Sequence, residues 1–148
     1  MITAILAAAL LAQQTATPTA VWSEGLAAEI MARQTVAPDL ADLHAQASRG
    51  GRDDDWSPRT EVLLAQRYRA IAHFARDVPT VAFRCSTDVC EVAGIMRPDI
   101  NGDDLTEMMI QLQAIGNPTP LPGLEHVVHS FSTADDRAPA FIAYWRRS

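Results

Sequence analysis

The chain has 148 residues, 48% of them apolar and 20% charged, the balance of a globular domain rather than a disordered one. That is the length of one domain, enough to bury a core without depending on staples. The net charge of −6 repels nucleic acid and anionic lipid, so neither is an expected partner.

The first twenty residues carry no charged side chain, and Ile2 to Ala12 is an apolar run with Thr3 its one polar residue. A bilayer span needs about 20 such residues, so the run is too short for a permanent membrane helix. It has the length of a signal-peptide h-region, and small residues suited to cleavage follow at Ala12, Ala16 and Ala20. Residues 1–20 are therefore expected to be a leader and spacer, and the mature chain to be periplasmic or secreted. Residues 21–55 read as accessory helices and a linker. Ser23 is placed to cap a helix over Glu24–Arg33, and Pro38 suits the first turn of a second helix ending near Ser48. Leu40, Leu43 and Ala47 fall on one face of that second helix. Gly50-Gly51 stops it, and Asp53-Asp54-Asp55 is a solvated link.

The stronger signals begin at Trp56, and residues 56–148 read as the main domain. Ser57-Pro58 predicts a helix start, with the helix running to about Arg76 and burying Leu64, Tyr68, Ile71 and Ala75. Val81, Phe83 and Cys85 alternate with Ala82 and Arg84, the period of a strand. A second strand runs from Cys90 to Met96. Asp103 or Asp104 is expected to cap a helix with the stripe Leu105, Met108, Met109, Leu112 and Ile115. Glu125–Ser132 and Pro139–Trp145 form a closing hairpin. Two helix–strand–strand units make an α+β fold, with a four-stranded, mostly antiparallel sheet and its helices on one face.

Cys85 and Cys90 flank Ser-Thr-Asp-Val, a four-residue hairpin loop that sets them opposite each other on one sheet face. Antiparallel partners approach within disulfide range, and in an oxidising compartment such a pair closes. The alternative is a thiol–disulfide redox protein using the same two cysteines. Dedicated oxidoreductases use a shorter spacing at a helix N-terminus, and Asp88 and Glu91 beside these thiols would raise rather than lower a thiol pKa, with Arg84 as a partial offset. A structural bridge is the preferred reading.

Trp56, Glu61 and Leu64 in W-S-P-R-T-E-V-L-L, followed by F-R-C-S-T-D-V-C-E-V, resemble a module of uncharacterised periplasmic or secreted proteobacterial proteins. That module has a Trp-x4-Glu-x2-Leu helix start and then a Cys-x4-Cys hairpin. The resemblance covers about Trp56 to Met96; it implies export and a disulfide, and no activity.

Other chemistry is sparse. His126 and His129 are three apart, so on a strand they face opposite ways and share no metal unless the segment is helical. His44 and His73 lie on separate predicted helices. Asp99 to Asp104 has neither the glycine nor the glutamate spacing of an EF-hand loop. No phosphate loop, nucleophile elbow or zincin helix occurs. No catalytic residue, metal site or cofactor is expected. Trp56, and Trp145 if it faces outward, are the candidate partner-binding residues, for an envelope protein or another envelope component. The expected function is a non-enzymatic binding or structural module.

Overall fold

The computed structural model describes residues 19–33, 38–116, 120–133 and 137–148. The apolar run Ile2–Ala12 lies outside them, as do Thr15–Pro18 of the expected spacer. Among the described residues no helix is long and apolar enough to cross a membrane. The elements in order are α1 (Thr19–Arg33), α2 (Pro38–Arg49), α3 (Trp56–Arg69), α4 (Phe74–Asp77), β1 (Thr80–Cys85), β2 (Val89–Ile95), α5 (Gly102–Ala114), β3 (Leu124–Ser132) and β4 (Ala140–Arg147). The strands form one sheet in the order β1-β2-β4-β3, with every neighbouring pair antiparallel. This is the expected α+β domain.

Strand alternation divides the sheet into two apolar faces. Cys85, Cys90, Val92, Phe141, Ala143 and Trp145 point to the first face, where they meet Leu64 and Tyr68 of α3 and Met108 and Leu112 of α5. Both helices of the αββ units thus lie on one side, as expected. Ala82, Val89, Ala93, Ala140, Ile142 and Tyr144 point the other way, against Leu26, Ala27 and Ile30 of α1 and Leu40, Leu43 and Ala47 of α2. The N-terminal helices therefore pack on the sheet and cover its second face. Their modest side chains suffice because the sheet opposite presents alanines, so the backbones approach closely.

Four local expectations are corrected. Ser23 lies inside α1, which starts at Thr19 within the expected spacer. Asp53 receives the backbone N–H groups of Asp55 and Trp56 at 3.0 and 2.7 Å. Ser57 is instead buried in the first turn, where its hydroxyl donates to the Ser86 carbonyl at 2.9 Å. Asn101, not Asp103 or Asp104, caps α5 by accepting the Asp104 N–H at 2.8 Å. The long helix expected to reach Arg76 stops at Arg69, and His73 then adopts a left-handed φ of 63°. The break swings Phe74 and Val78 into the core at 1% and 2% exposure and leaves Ala75 outside. Burial of two larger side chains outweighs helix continuity.

The short α4 is tied to the sheet end by a buried carboxylate. Asp77 accepts from Arg76 at 2.8 Å and from Arg97 at 2.9 Å, and its own carbonyl receives the Arg97 N–H at 2.9 Å. The hydrogen bonds from Arg76 and then Arg97 hold the Asp77 carboxyl down to about 2.

Gly94 shows how closely the first face is filled. A Cβ at this position would lie 2.8 Å from Phe141 Cζ and 3.0 Å from Val78 Cγ1, and nearer still to Phe141 Cε1. Gly94→Ala is therefore expected to cost about 1–3 kcal/mol by overpacking, read as a lower urea midpoint with unchanged slope. A neutral result would show that the Phe141 ring moves freely.

Candidate functional site

The cysteine spacing and the Trp56–Leu64 helix start converge on the disulfide hairpin. Cys85 and Cys90 are register partners with Cα atoms 4.0 Å apart, and their sulfurs are bonded. Ser86 and Val89 close the turn, with Ser86 N–H donating to the Val89 carbonyl at 2.8 Å. Glu61 from α3 accepts the Cys85 N–H at 2.8 Å and is gripped by Arg52 at 2.6 and 2.9 Å. Trp56 lies under the Arg147 guanidinium at 5.0 Å, while the Arg147 N–H donates to the Asp88 carbonyl at 2.8 Å. Ser57 and Glu61 thus hold the hairpin directly, and Trp56 bears on it through Arg147. The cysteines are 2% and 0% exposed. Glu91 and Arg84, expected to bias the thiols, project from the opposite face of the sheet, because adjacent strand residues alternate.

The second face holds a buried polar group. Glu91 is 2% exposed; its carboxylate accepts from Tyr144 Oη at 2.9 Å, pairs with His44 Nδ1 at 2.6 Å, and accepts from Arg84 at 3.3 Å. Burial and then the Glu91 charge push the Tyr144 hydroxyl up, so it stays protonated and donates. Ser48 accepts from Arg84 at 2.6 Å and lies 3.5 Å from His44 Nε2. The order Ser48–His44–Glu91 resembles a nucleophile, base and acid. Its setting is that of a latch. Ser48 lies in the last turn of α2, where a helix presents carbonyl oxygens, the wrong polarity for an oxyanion. The group joins α2 to β2 and β4.

The third arrangement corrects the sequence reading of the histidines. The register of β3 on β4 shifts between His126 and Val128. This β-bulge inserts Val127, so Val127 and Val128 both pack toward the second face. His126 and His129 therefore share the first face, with His126 Nε2 and His129 Nδ1 2.6 Å apart. His129 Nε2 lies 2.8 Å from Tyr68 Oη, which also accepts from Trp145 Nε1 at 3.1 Å.

One direction of this chain gives every buried donor an acceptor. The indole N–H only donates, which leaves the hydrogen of the buried Tyr68 hydroxyl available to His129 Nε2. The His129 proton is then on Nδ1 and donates to His126 Nε2, which leaves the His126 proton on Nδ1. Burial, and secondarily the neighbouring His126, bring His129 down to about 3. Burial also lowers His126, partly offset by its hydrogen bond to the Val128 backbone. His126 opens on a cavity of about 320 Å3, bordered by Gln113, Gly116, Pro120, Leu124, Glu125 and Trp145.

No family model, curated protein or solved structure matches this chain.

Of the two tryptophans singled out from the sequence, Trp56 is half-buried at the edge of a cavity of about 310 Å3, with Arg59, Leu63 and Pro122. Trp145 is 1% exposed and packs in the core, so it is not an outward anchor. Tyr144 and Trp145 do face opposite sides of the sheet, but helices cover both. Sequence reasoning missed Glu91 as a latch and His126–His129 as a pair. The adjacent Val127-Val128, two apolar residues where one should face out, was the available signal for the bulge.

Proposed function

We propose that this chain is an exported domain that acts by binding or as a structural part of the envelope, with Cys85–Cys90 as a permanent staple. The observation that carries the reading is the burial of both cysteines, at 2% and 0% exposure. Thiol–disulfide exchange requires a thiolate to reach a sulfur in line with the bond, and buried sulfurs deny that approach. The clamp from Arg52, Ser57 and Glu61 adds to the same effect by holding the hairpin backbone. The apolar stretch Ile2–Ala12 and the preference of disulfides for oxidising compartments support export. Trp56 at its cavity is the residue we assign to partner contact, since its indole retains an accessible edge.

The test combines two measurements. Intact mass of the protein from fractionated cells, with and without thiol alkylation, should show a shortened chain outside the cytoplasm with no alkylatable thiol. The reduction potential of the purified domain should lie below about −300 mV. A clearly more oxidising value would favour the thiol–disulfide alternative, and a full-length cytoplasmic product with two free thiols would remove the export reading. Replacing both cysteines by alanine should cost about 2 kcal/mol, because the closed loop is short, and should leave the domain folded.

A further inference from the structure

We propose that the His126–His129 pair is an acid-sensitive clasp on the edge strand β3, which lets that strand part from the core when protons enter. This goes beyond the binding-module reading and stands without it. Three observations carry the inference.

First, the pair belongs to a continuous chain of hydrogen bonds. Trp145 Nε1 donates to Tyr68 Oη at 3.1 Å, Tyr68 Oη lies 2.8 Å from His129 Nε2, and His129 Nδ1 lies 2.6 Å from His126 Nε2. His126 ends the chain on the Val128 backbone. With both rings neutral, every N–H and O–H along this chain has one acceptor. An added proton breaks that match. If His129 then donates from Nε2, Tyr68 Oη receives hydrogens from both Trp145 and His129, and its own hydrogen loses its acceptor in the chain. Tyr68 is 0% exposed, and a buried hydroxyl stripped of its acceptor is costly. If His129 instead keeps its proton on Nδ1, a protonated His126 sets two N–H groups against each other across the 2.6 Å gap.

Second, the rings have no slack in which to turn away. A Cβ at Gly116 would come 2.8 Å from His126 Cβ, and the Trp145 and His126 ring centroids are 4.9 Å apart. His129 is ringed by Tyr68, Phe131 and Phe141, with centroids 5.9, 6.3 and 6.3 Å away. The groups that face the pair are neutral: Tyr68 from α3, Phe141 and Trp145 from β4, and Gln113 from α5 across the cavity. Glu125 borders that cavity but is exposed, where water and salt screen its charge. Arg147 of β4 is turned to Trp56 and Asp53, and Arg67 of α3 lines a different cavity, beside Ile71 and Gln111.

Third, β3 is the strand that can give. It lies at the edge of the sheet, pairs with β4, and its register slips between His126 and Val128. Parting of its first half from the core wets both imidazoles and uncovers Leu124 and Trp145, which are 6% and 1% exposed in the closed form. Burial, and secondarily the neighbouring His126, hold His129 at about 3, and burial lowers His126 as well. A wetted imidazole takes its proton near about 6.5. The open form therefore binds protons that the closed form refuses. The clasp is at full strength above about pH 6.5 and weakens as the pH falls toward about 3.

The test is hydrogen-exchange mass spectrometry of the full oxidised chain at about pH 8 and about pH 5, corrected for the intrinsic pH dependence of exchange. One imidazole of this kind raises the opening constant about 30-fold between those two conditions. Opening of β3 should therefore increase at least about 30-fold, while the β1–β2 hairpin changes far less. The double variant His126→Gln/His129→Gln keeps a donor and an acceptor at each position without a titrating group. It should lose the acid response of β3, with circular dichroism confirming its fold. Imidazole 15N spectra of the wild type need no variant: His129 should remain neutral at about pH 5 in the closed form. Equal acid sensitivity in β3 and the β1–β2 hairpin would mean that the domain opens as a whole, and would overturn the proposal. So would an undiminished response in the double variant, or a His129 that titrates near about 6.5 with β3 protection unaltered.

Discussion

Glu91→Ala is expected to destabilise the domain by about 3–5 kcal/mol, the cost of stripping the partner from a buried charge. The substitution leaves the Arg84 guanidinium near the sheet without its carboxylate, and removes the acceptor of both His44 and Tyr144. Because His44 and Ser48 are both on α2, the loss should fall unevenly. Hydrogen exchange should accelerate in α2 before it does in β2 or β4. Glu91→Gln keeps the shape and one acceptor oxygen, so it should cost clearly less. Urea unfolding measures the first effect and exchange mass spectrometry the second. A loss below about 1 kcal/mol for Glu91→Ala would mean that α2 is held by its apolar face alone.

Trp145→Ala should cost a similar amount, about 3–5 kcal/mol, by opening a cavity where a fully buried indole had been. Trp145 meets Tyr68 edge-on at 6.5 Å between ring centroids and His126 at 4.9 Å. It is also the register partner of both Cys90 and His126. Its removal therefore loosens the disulfide hairpin and the histidine pair together. Trp145→Phe retains much of the packing and removes only the N–H to Tyr68, so its cost should be smaller. The Tyr68 hydroxyl would still donate to His129, and the imidazole 15N pattern should stay as in wild type. Thermal unfolding gives the energies. A change of tautomer in Trp145→Phe would show that the hydrogen-bond chain runs in the opposite direction.

These two positions illustrate different degrees of legibility. Trp145 follows from alternation: Tyr144 and Trp145 are adjacent on a strand, so they must face opposite ways. What alternation does not say is that each face has its own helix layer, and so the outward anchor became a core residue. Glu91 is harder. A glutamate beside a cysteine in a hairpin strand reads as solvated, and its main partner lies 47 residues away on α2. The break after Arg69 was hidden for a similar reason, since Ile71 and Ala75 complete a good helical stripe. Only the pull of Phe74 and Val78 toward the sheet turns the chain at His73.

The hairpin register, the cysteine pairing, the inward face of α2 and, apart from the separate α4, the order of helices and strands were readable from the chain. Each depends on neighbours within a turn or a strand length, where apolar spacing and loop length leave one good solution. Which layer covers each face, how β3 slips by one residue, and which charges meet in the interior are settled by contacts between distant segments. Arg33, for instance, donates to the Ala138 carbonyl across 105 residues. Such pairings depend on the shapes of two surfaces brought together, and a one-dimensional pattern carries no measure of that fit.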